Sequence, residues 1–229
     1  MKHDLTGIIC AMQLEMDGLR AQMTDTVSET VSGIEFVRGT LCGAPVVTAV
    51  CGVGKVFAAL CAQTMILRYA PARLINTGVA GSLSPALTIG NIAIARDVVQ
   101  HDMDTSPLGD PVGLLSGFNI VHIPADPALG EALEASAAAC GLTVRRGTIA
   151  TGDQFISSGE QKSRIRDSFD AIACEMEGAA IGHVAYVNKV PFAVLRSISD
   201  GGDGMEFSEF CPLAAKNSVA ITKAFLQNL

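Results

Sequence analysis

Acidic side chains follow several apolar runs of the sequence, at positions where they could do chemistry. Glu15 follows the first run, Glu175 and Glu177 follow a later one, and Asp200 ends another. Two separated carboxyl groups can protonate a leaving group on one side of a glycosidic bond and activate water on the other side. Asp200 and Glu15 fit these two roles. The structural alternative for Glu15 is an acid in a first helical turn that complements the helix dipole.

Three strand ends carry the richest set of polar and aromatic residues, at 151–156, 174–177 and 196–200. An aromatic ring can stack on a base, a carboxylate can accept hydrogen bonds from vicinal hydroxyls, and an Asp can share a proton with a ring nitrogen. This composition suits ribose and purine. As alternatives, Phe155 could be a core residue and Arg196 a surface ion-pair partner. However, half-buried carboxylates are costly unless they hold hydroxyls or cations.

Glycine-rich segments add further candidate contacts. The segment 52–55 lets a ligand approach the backbone, but Val56 and Phe57 break the patterns of the Walker and dinucleotide-binding loops. For the segment 76–82, a tight structural turn and a substrate contact are both open. The segment 200–204 lacks the ligand spacing of an EF-hand, and we expect a mobile loop beside the site.

The elements that must position these residues alternate between short apolar runs and longer helical patterns, with Gly, Pro, Asn or Asp at the joints. Strands are predicted over Leu5–Cys10, Glu35–Leu41, Pro45–Cys51, Leu74–Thr77, Asn91–Val99, Asn119–Ile123, Val144–Ala150, Ala171–Glu175 and Phe192–Ile198. Helices are predicted over Gln13–Met23, Lys55–Arg68, Pro127–Cys140, Gly159–Ser168, Glu177–Asn188 and Phe207–Gln227. Continuously apolar strands require a sheet that is covered on both faces. The prediction is one α/β domain over residues 1–229, a three-layer α/β/α sandwich with a mixed central sheet.

Composition excludes several classes of partner. The formal charge of −7 and the absence of Trp argue against nucleic acid, and an anionic membrane surface is equally excluded. No run reaches the length of a spanning helix. The seven Cys residues have no C-x-x-C spacing and indicate buried thiols in a reducing compartment, so we expect a cytoplasmic protein. We expect no metal and no cofactor.

With these motifs in order over nearly the whole length, the chain resembles the 5'-methylthioadenosine/S-adenosylhomocysteine nucleosidases of the purine nucleoside phosphorylase and uridine phosphorylase superfamily. The segments that carry the resemblance are Ala11-Met12 with Glu15, Gly52-Val53-Gly54-Lys55-Val56, Asn76-Thr77-Gly78 with Ala80-Gly81, His101-Asp102 with Asp104, Thr151-Gly152-Asp153 with Phe155-Ile156, Glu175-Met176-Glu177, and Ser199-Asp200.

The resemblance implies hydrolysis of the N-glycosidic bond of 5'-substituted adenosines, with release of adenine. It implies that the catalytic residues are Glu15, Asp200 and Arg196. Glu15 would activate the attacking water with Arg196 nearby, and Asp200 would bond N7 and the 6-amino group and donate the proton. Glu177 and the backbone of Met176 would hold the ribose hydroxyls.

The same resemblance implies a set of further contacts with the small-molecule nucleoside. Phe155 would stack on adenine and the backbone of Ile156 would read its Watson–Crick edge. Met12, Val53, Met176 and Phe207 would shape the pocket for the 5'-alkylthio group. The substrate-binding set is completed by Val79, Ala80, Gly81, Glu175 and Ser199.

The family is commonly homodimeric, which implies that the segment 104–113 closes the partner's pocket. Three features depart from the family pattern: Val79 replaces a frequent Ser, Leu108 and Asp110 replace frequent aromatic residues, and the loop between Asp200 and Phe207 is short. The alternatives are a purine nucleoside phosphorylase that uses phosphate, an aminodeoxyfutalosine nucleosidase, and a non-catalytic nucleoside-binding protein.

Overall fold

The structure is a computed structural model that describes residues 5–201 and 204–229, without the side chains of 204 and 205. Its strands are β1 Thr6–Cys10, β2 Thr24–Val31, β3 Ile34–Leu41, β4 Ala44–Val50, β5 Arg73–Ser82, β6 Ile92–Gln100, β7 Ile123–Pro124, β8 Val144–Thr151, β9 Ala171–Glu175 and β10 Phe192–Asp200. Its helices are α1 Gln13–Arg20, α2 Lys55–Tyr69, α3 Pro127–Ala139, α4 Gly159–Phe169, α5 Gly178–Asn188 and α6 Gly204–Gln227.

The strands form one mixed sheet in the order β10-β6-β8-β9-β5-β1-β4-β3-β2, with β7 beside β6. β10 also pairs with β5, so that β5, β10, β6, β8 and β9 close into a ring. The pairs of β1 with β4 and β5, and of β5 with β10, are parallel. The ring brings the ends of β5, β9 and β10 together, and this is where the sequence places its acidic residues.

Helices cover both faces of the sheet. Residues of α2 and α5, such as Ala62 and Ile181, are buried in one apolar cluster with the sheet. Residues of α1, α3 and α6, such as Leu19, Leu133 and Phe225, are buried in a second cluster on the other face. The predicted three-layer α/β/α class with a mixed sheet is therefore confirmed. Among the described residues, no helix has the length and apolar character needed to span a bilayer.

The edge of the sheet differs from the prediction. The polar segment Thr24–Val31 was not predicted as a strand, and the predicted helix Gln13–Met23 ends at Arg20 because this strand follows. β2 is an antiparallel edge strand whose residues are exposed or partly exposed, so no apolar alternation marks it. The turn at Ser32 and Gly33, both with positive φ, is the local signal that could have revealed the hairpin.

The glycine-rich segment 78–82 is a strand and not a turn. β5 continues to Ser82 and pairs with β10 on one side and with β9 on the other. Pairing from both sides compensates for the weak strand preference of glycine, which a reading of local sequence cannot detect.

The predicted strand Asn119–Ile123 is wrong. Only Ile123 belongs to a strand, the two-residue β7, while Ile120 forms an isolated bridge with Leu115. Asn119 has a φ of 56°, which breaks an extended conformation. The expected loop 200–204 lies in part outside the described residues, and α6 begins at Gly204.

Candidate active site

A cleft of about 270 Å³ opens where β1, β5, β8, β9 and β10 end. Its wall contains both predicted catalytic carboxylates, Glu15 and Asp200. It also contains every predicted substrate-binding residue, namely Met12, Val53, Val79, Ala80, Gly81, Phe155, Ile156, Glu175, Met176, Glu177, Ser199 and Phe207. Ala11, Gln154 and Cys174 also line the cleft; they stand in segments that the sequence analysis singles out, but they were given no binding role there. Cys174 pairs opposite Gly81, which also lines the cleft.

Glu15 lies in the first turn of α1 and is 3% exposed. One carboxylate oxygen accepts from the backbone N–H groups of Ala11 and Met12 at 3.0 and 2.9 Å, and the other accepts from that of Val79 at 3.0 Å. Burial raises the pKa of Glu15, an effect that Arg196 and these three donors offset in part. The carboxylate is thus fixed in orientation, and its basicity is increased.

Gly78 makes this position of Glu15 possible. A Cβ atom at residue 78 would lie 2.5 Å from Oε1 of Glu15. The small residues of β5 therefore let α1 and its carboxylate approach the strand closely.

Asp200 ends β10 and is 2% exposed. The strand register shifts between Ile198 and Asp200, which indicates a bulge at Ser199. Both Ser199 and Asp200 line the cleft, although consecutive strand residues normally point to opposite faces. The Ser199 hydroxyl donates to Oδ2 of Asp200 at 2.8 Å and thereby fixes the carboxyl group. A Cβ on Gly81 would lie 3.1 Å from the other oxygen of Asp200.

The resemblance predicts that Arg196 is a catalytic residue. It is fully buried and does not belong to the wall of the cleft. Its guanidinium pairs with Glu175, donates to the side-chain oxygen of Asn76, and lies 4.0 Å from Glu177. Its Nε has no hydrogen-bond partner among the described residues, and its charge opposes the rise in the pKa of Glu15.

Glu175 lines the cleft, but its oxygens are also occupied by protein donors. One oxygen accepts from the Thr151 hydroxyl. The other accepts from the N–H groups of Glu177 and Gly178 at 3.0 and 2.7 Å and from Arg196. Glu175 therefore fixes the backbone at the start of α5.

Glu177 immediately precedes α5 and has one oxygen held by the backbone N–H of Gly54 at 2.8 Å, from the segment that precedes α2. Its second oxygen lies 4.0 Å from Arg196, beyond direct hydrogen-bond distance. Burial, followed by the charge of Glu175, raises the pKa of Glu177 to about 7. A group that donates two hydrogen bonds to this carboxylate would favour its ionised form.

Two positioning residues were missed by the sequence prediction. The Thr151 hydroxyl donates to Glu175 and accepts from the N–H of Ala179 at 2.7 Å. The amide of Asn76 donates to the Ile9 carbonyl at 3.0 Å while its oxygen accepts from Arg196. Both residues stand in segments that the sequence singles out, but their partners are distant in sequence.

The open side of the cleft is aromatic. The rings of Phe155 and Phe207 meet edge to face, with centroids 5.6 Å apart. Phe155 is 48% exposed, whereas Ile156 is buried in the cluster under α4. An exposed ring next to buried carboxylates can stack on a flat ligand.

Charge and donor types limit what the cleft can bind. Among the described residues, the wall contains no Lys, Arg or His side chain, and no group of three acidic, His or Cys residues is arranged to hold a metal ion. Arg20, the cation nearest to Glu15 in sequence, pairs with Glu35 at 2.7 Å and with Thr48. The arrangement suits an uncharged ligand with hydroxyls and a flat ring.

The chain matches known proteins over almost its full length. Residues 6–227 match the model of the phosphorylase superfamily. A 5'-methylthioadenosine/S-adenosylhomocysteine nucleosidase from Shewanella loihica is 39% identical over 228 residues, which cover 97% of this chain and 99% of that protein.

Solved structures agree with this match. The nucleosidase of this type from Neisseria meningitidis, in complex with methylthio-immucillin-A, is 32% identical with a TM-score of 0.95 and covers 99% of this chain and 100% of its own. Futalosine hydrolase of Helicobacter pylori is 32% identical with a TM-score of 0.94, and the match covers 99% of this chain and 98% of that one. The chain therefore belongs to the phosphorylase superfamily and, within it, to the 5'-methylthioadenosine/S-adenosylhomocysteine nucleosidase family.

Proposed function

We propose that this protein hydrolyses the N-glycosidic bond of 5'-methylthioadenosine, S-adenosylhomocysteine and related 5'-substituted adenosines, and releases adenine. The observation that carries the proposal is the pair of buried carboxyl groups, Glu15 and Asp200, that reach one narrow cleft from two different elements. Cleavage through an oxocarbenium-like transition state requires such a pair. The names of the relatives support the same reaction.

In this proposal the two carboxyl groups divide the work. Asp200 hydrogen-bonds N7 and the 6-amino group of adenine and donates a proton as negative charge develops on the base. Glu15 accepts a proton from the attacking water, for which its raised pKa makes it a stronger base than an exposed Glu. Arg196 acts from behind the wall by holding Glu175, and so the backbone of Glu177.

The remaining contacts bind the substrate. The free oxygen of Glu177 accepts hydrogen bonds from the ribose hydroxyls, and the backbone of Met176 forms hydrogen bonds with the same hydroxyls. Phe155 stacks on adenine and the backbone of Ile156 reads its edge. The 5' substituent lies among the side chains of Met12, Val53, Met176 and Phe207, which are apolar and partly exposed.

A phosphorylase is disfavoured by the charges in the cleft. Phosphate carries nearly two negative charges and needs convergent cations or donors. Among the residues that the structure describes, none in the wall of the cleft has a cationic side chain, and Arg196 already pairs with Glu175. The carboxylate of Glu15 would also repel the anion. The same geometry disfavours a non-catalytic nucleoside-binding protein, because a buried carboxylate pair is costly to maintain without a chemical role.

The preference of the enzyme for a 5' substituent is tested with four substrates, which carry methylthio, homocysteinyl, hydrogen or the futalosine type of group at this position. The similarity to futalosine hydrolase favours aminodeoxyfutalosine as the second candidate substrate. Adenine release is measured for each, with and without phosphate. We expect the highest kcat/KM with methylthio or homocysteinyl, and no effect of phosphate. A preference of tenfold or more for the futalosine type would replace the first candidate by the second.

Replacing Glu177 by Gln should raise KM about tenfold, because an amide has one acceptor oxygen where the carboxylate has two, and hydrogen bonds to charged groups are the strong ones. The pH dependence should also change. In the wild type, hydroxyl donors favour the ionised form, so affinity should rise as pH rises through about 7, and the Gln variant should lose this rise. A substrate without 2' and 3' hydroxyls is the control, because it should show little difference between the two proteins. A full difference on that substrate would mean that Glu177 is structural.

We also propose that residues 1–229 act as one domain in a cytoplasmic homodimer. The support for the dimer is a set of exposed apolar side chains near the expected closing segment 104–113, including Leu108, which is 83% exposed, Val112 and Phe118. The seven free thiols support a reducing compartment. Light scattering at micromolar concentration should give twice the mass of the chain, and a fully active monomer would contradict the proposal.

A further inference from the structure

Lys55, Asp102 and Asp153 form a polar cluster beside the cleft, which we call the Asp102 cluster. None of the three lines the cleft. The Lys55 ammonium group lies 2.6 Å from Oδ1 of Asp102, and Oδ2 of Asp102 accepts from the backbone N–H of Asp153 at 2.9 Å. Oδ1 of Asp153 accepts from the backbone N–H of Lys55 at 2.8 Å. The cluster therefore joins the ends of β6 and β8 to the beginning of α2.

One side of the cluster reaches the ribose carboxylate. α2 begins after Gly54, which has no side chain that could cap the helix. Asp153, which lies just after β8 and is distant in sequence, accepts from the first N–H of the helix, and Glu177 accepts from the adjacent N–H of Gly54 at 2.8 Å. Two carboxylates thus bind successive N–H groups at the positive end of the helix dipole. A shift of Lys55 or Asp153 would move the donor that holds Glu177.

The other side of the cluster begins the segment that carries Phe155. After β8 the chain has no regular structure between residues 152 and 158. Asp153 holds the beginning of this segment through its N–H and its carboxylate, and Ser158 holds its end by capping α4. Between them, Gln154, Phe155 and Ile156 line the cleft.

We propose that Asp102, through Lys55 and Asp153, is a positioning residue that sets the separation between the ribose carboxylate Glu177 and the base-stacking segment 154–156. This inference rests on the proposed function. Glu15 and Asp200 are held by other groups, which lie between β1 and α1, on β5 and on β10. The cluster therefore acts on substrate binding, which needs both ends of the nucleoside in register, and much less on the chemical step.

Four variants test this role: Asp153→Ala, Asp102→Ala, Asp153→Asn and, as control, Asp167→Ala. Asn caps a helix about as well as Asp, so Asp153→Asn should rescue the function that Ala removes. Asp167 pairs with Arg166 at 2.8 Å on the exposed face of α4, so its variant removes an ion pair of similar length outside the cluster. The measurements are kcat and KM for 5'-methylthioadenosine, competition by adenine, and thermal unfolding.

We expect Asp153→Ala and Asp102→Ala to raise both KM and the inhibition constant of adenine about tenfold or more, the size of a lost charge-assisted hydrogen bond, with kcat within about threefold. Asp153→Asn and Asp167→Ala should retain the wild-type KM within about threefold. An unchanged KM in both Ala variants, or a loss confined to kcat, would overturn the inference, as would equal damage by Asn and Ala at 153. Failure of the proposed function is distinct, since the wild type itself would then release no adenine.

Discussion

The Asp200→Asn variant should release adenine about 10²–10⁴-fold more slowly than the wild type, which is the usual size of a general-acid contribution. The amide can still bond the base, but it cannot give N7 a proton as the glycosidic bond breaks. The fold should be preserved, because the side-chain oxygen of Asn can accept from the Ser199 hydroxyl as Oδ2 of Asp200 does at 2.8 Å. We therefore expect the loss in kcat, with KM close to that of the wild type.

A control and a rescue separate proton donation from positioning. Ser199→Ala removes one donor to Asp200 and leaves the acid itself, so its loss of activity should be about tenfold or less. In a riboside whose leaving group is 4-nitrophenolate, the leaving group departs without a proton. The Asn variant should therefore cleave this substrate about as fast as the wild type. If Asp200→Asn kept more than a tenth of the wild-type rate on 5'-methylthioadenosine, Asp200 would not be the acid.

The positions of the acidic residues were predictable because they depend on local sequence. Apolar strands that end in polar residues belong to a covered sheet, and the ends of neighbouring strands meet at one edge. This is why Glu15, Glu177 and Asp200, which are far apart in sequence, line one cleft as predicted.

The partners of buried charges were not predictable in this way. Arg196 lies on β10, as Asp200 does, but its guanidinium lies behind the wall of the cleft, where it pairs with Glu175 and Asn76. The strand character of 78–82 depends on pairing with β9 and β10, and the exposed strand β2 has no apolar pattern. Each of these features is decided by contacts between distant segments.

The Glu15→Gln variant should lose hydrolysis by about 10²–10⁴-fold, because the neutral amide cannot take a proton from water as the oxocarbenium ion develops. The three backbone donors around Glu15 add a structural cost: a single amide oxygen cannot serve Ala11, Met12 and Val79 together. Thermal unfolding should therefore show that the free energy of unfolding is lower by about 1–3 kcal/mol, because one donor is left unsatisfied. Adenine binding should persist, since the groups proposed to bind the base lie on other strand ends.

The pH dependence of hydrolysis is an independent test of the role of Glu15. Because burial raises the pKa of Glu15, its ionised form is lost at a higher pH than for an exposed Glu, and wild-type hydrolysis should decline as pH falls through that raised pKa. Glu177, with a pKa of about 7, contributes to the same acidic limb through binding. On a substrate without 2' and 3' hydroxyls, the Glu177 contribution disappears and the limb in kcat should report Glu15 alone. The residual activity of Glu15→Gln on that substrate should lack this limb.

Phosphate separates the hydrolase from the phosphorylase with the same two proteins. The wild type should release adenine at a rate independent of phosphate and should form the free 5-thio-substituted ribose. Phosphate should not rescue Glu15→Gln, because removing one negative charge does not create the convergent cations that a dianion needs, and Arg196 stays paired with Glu175 behind the wall. Formation of the sugar 1-phosphate, or a wild-type rate that rises and saturates with phosphate, would show that an anion reaches the anomeric carbon despite Glu15, and the phosphorylase assignment would then replace the hydrolase.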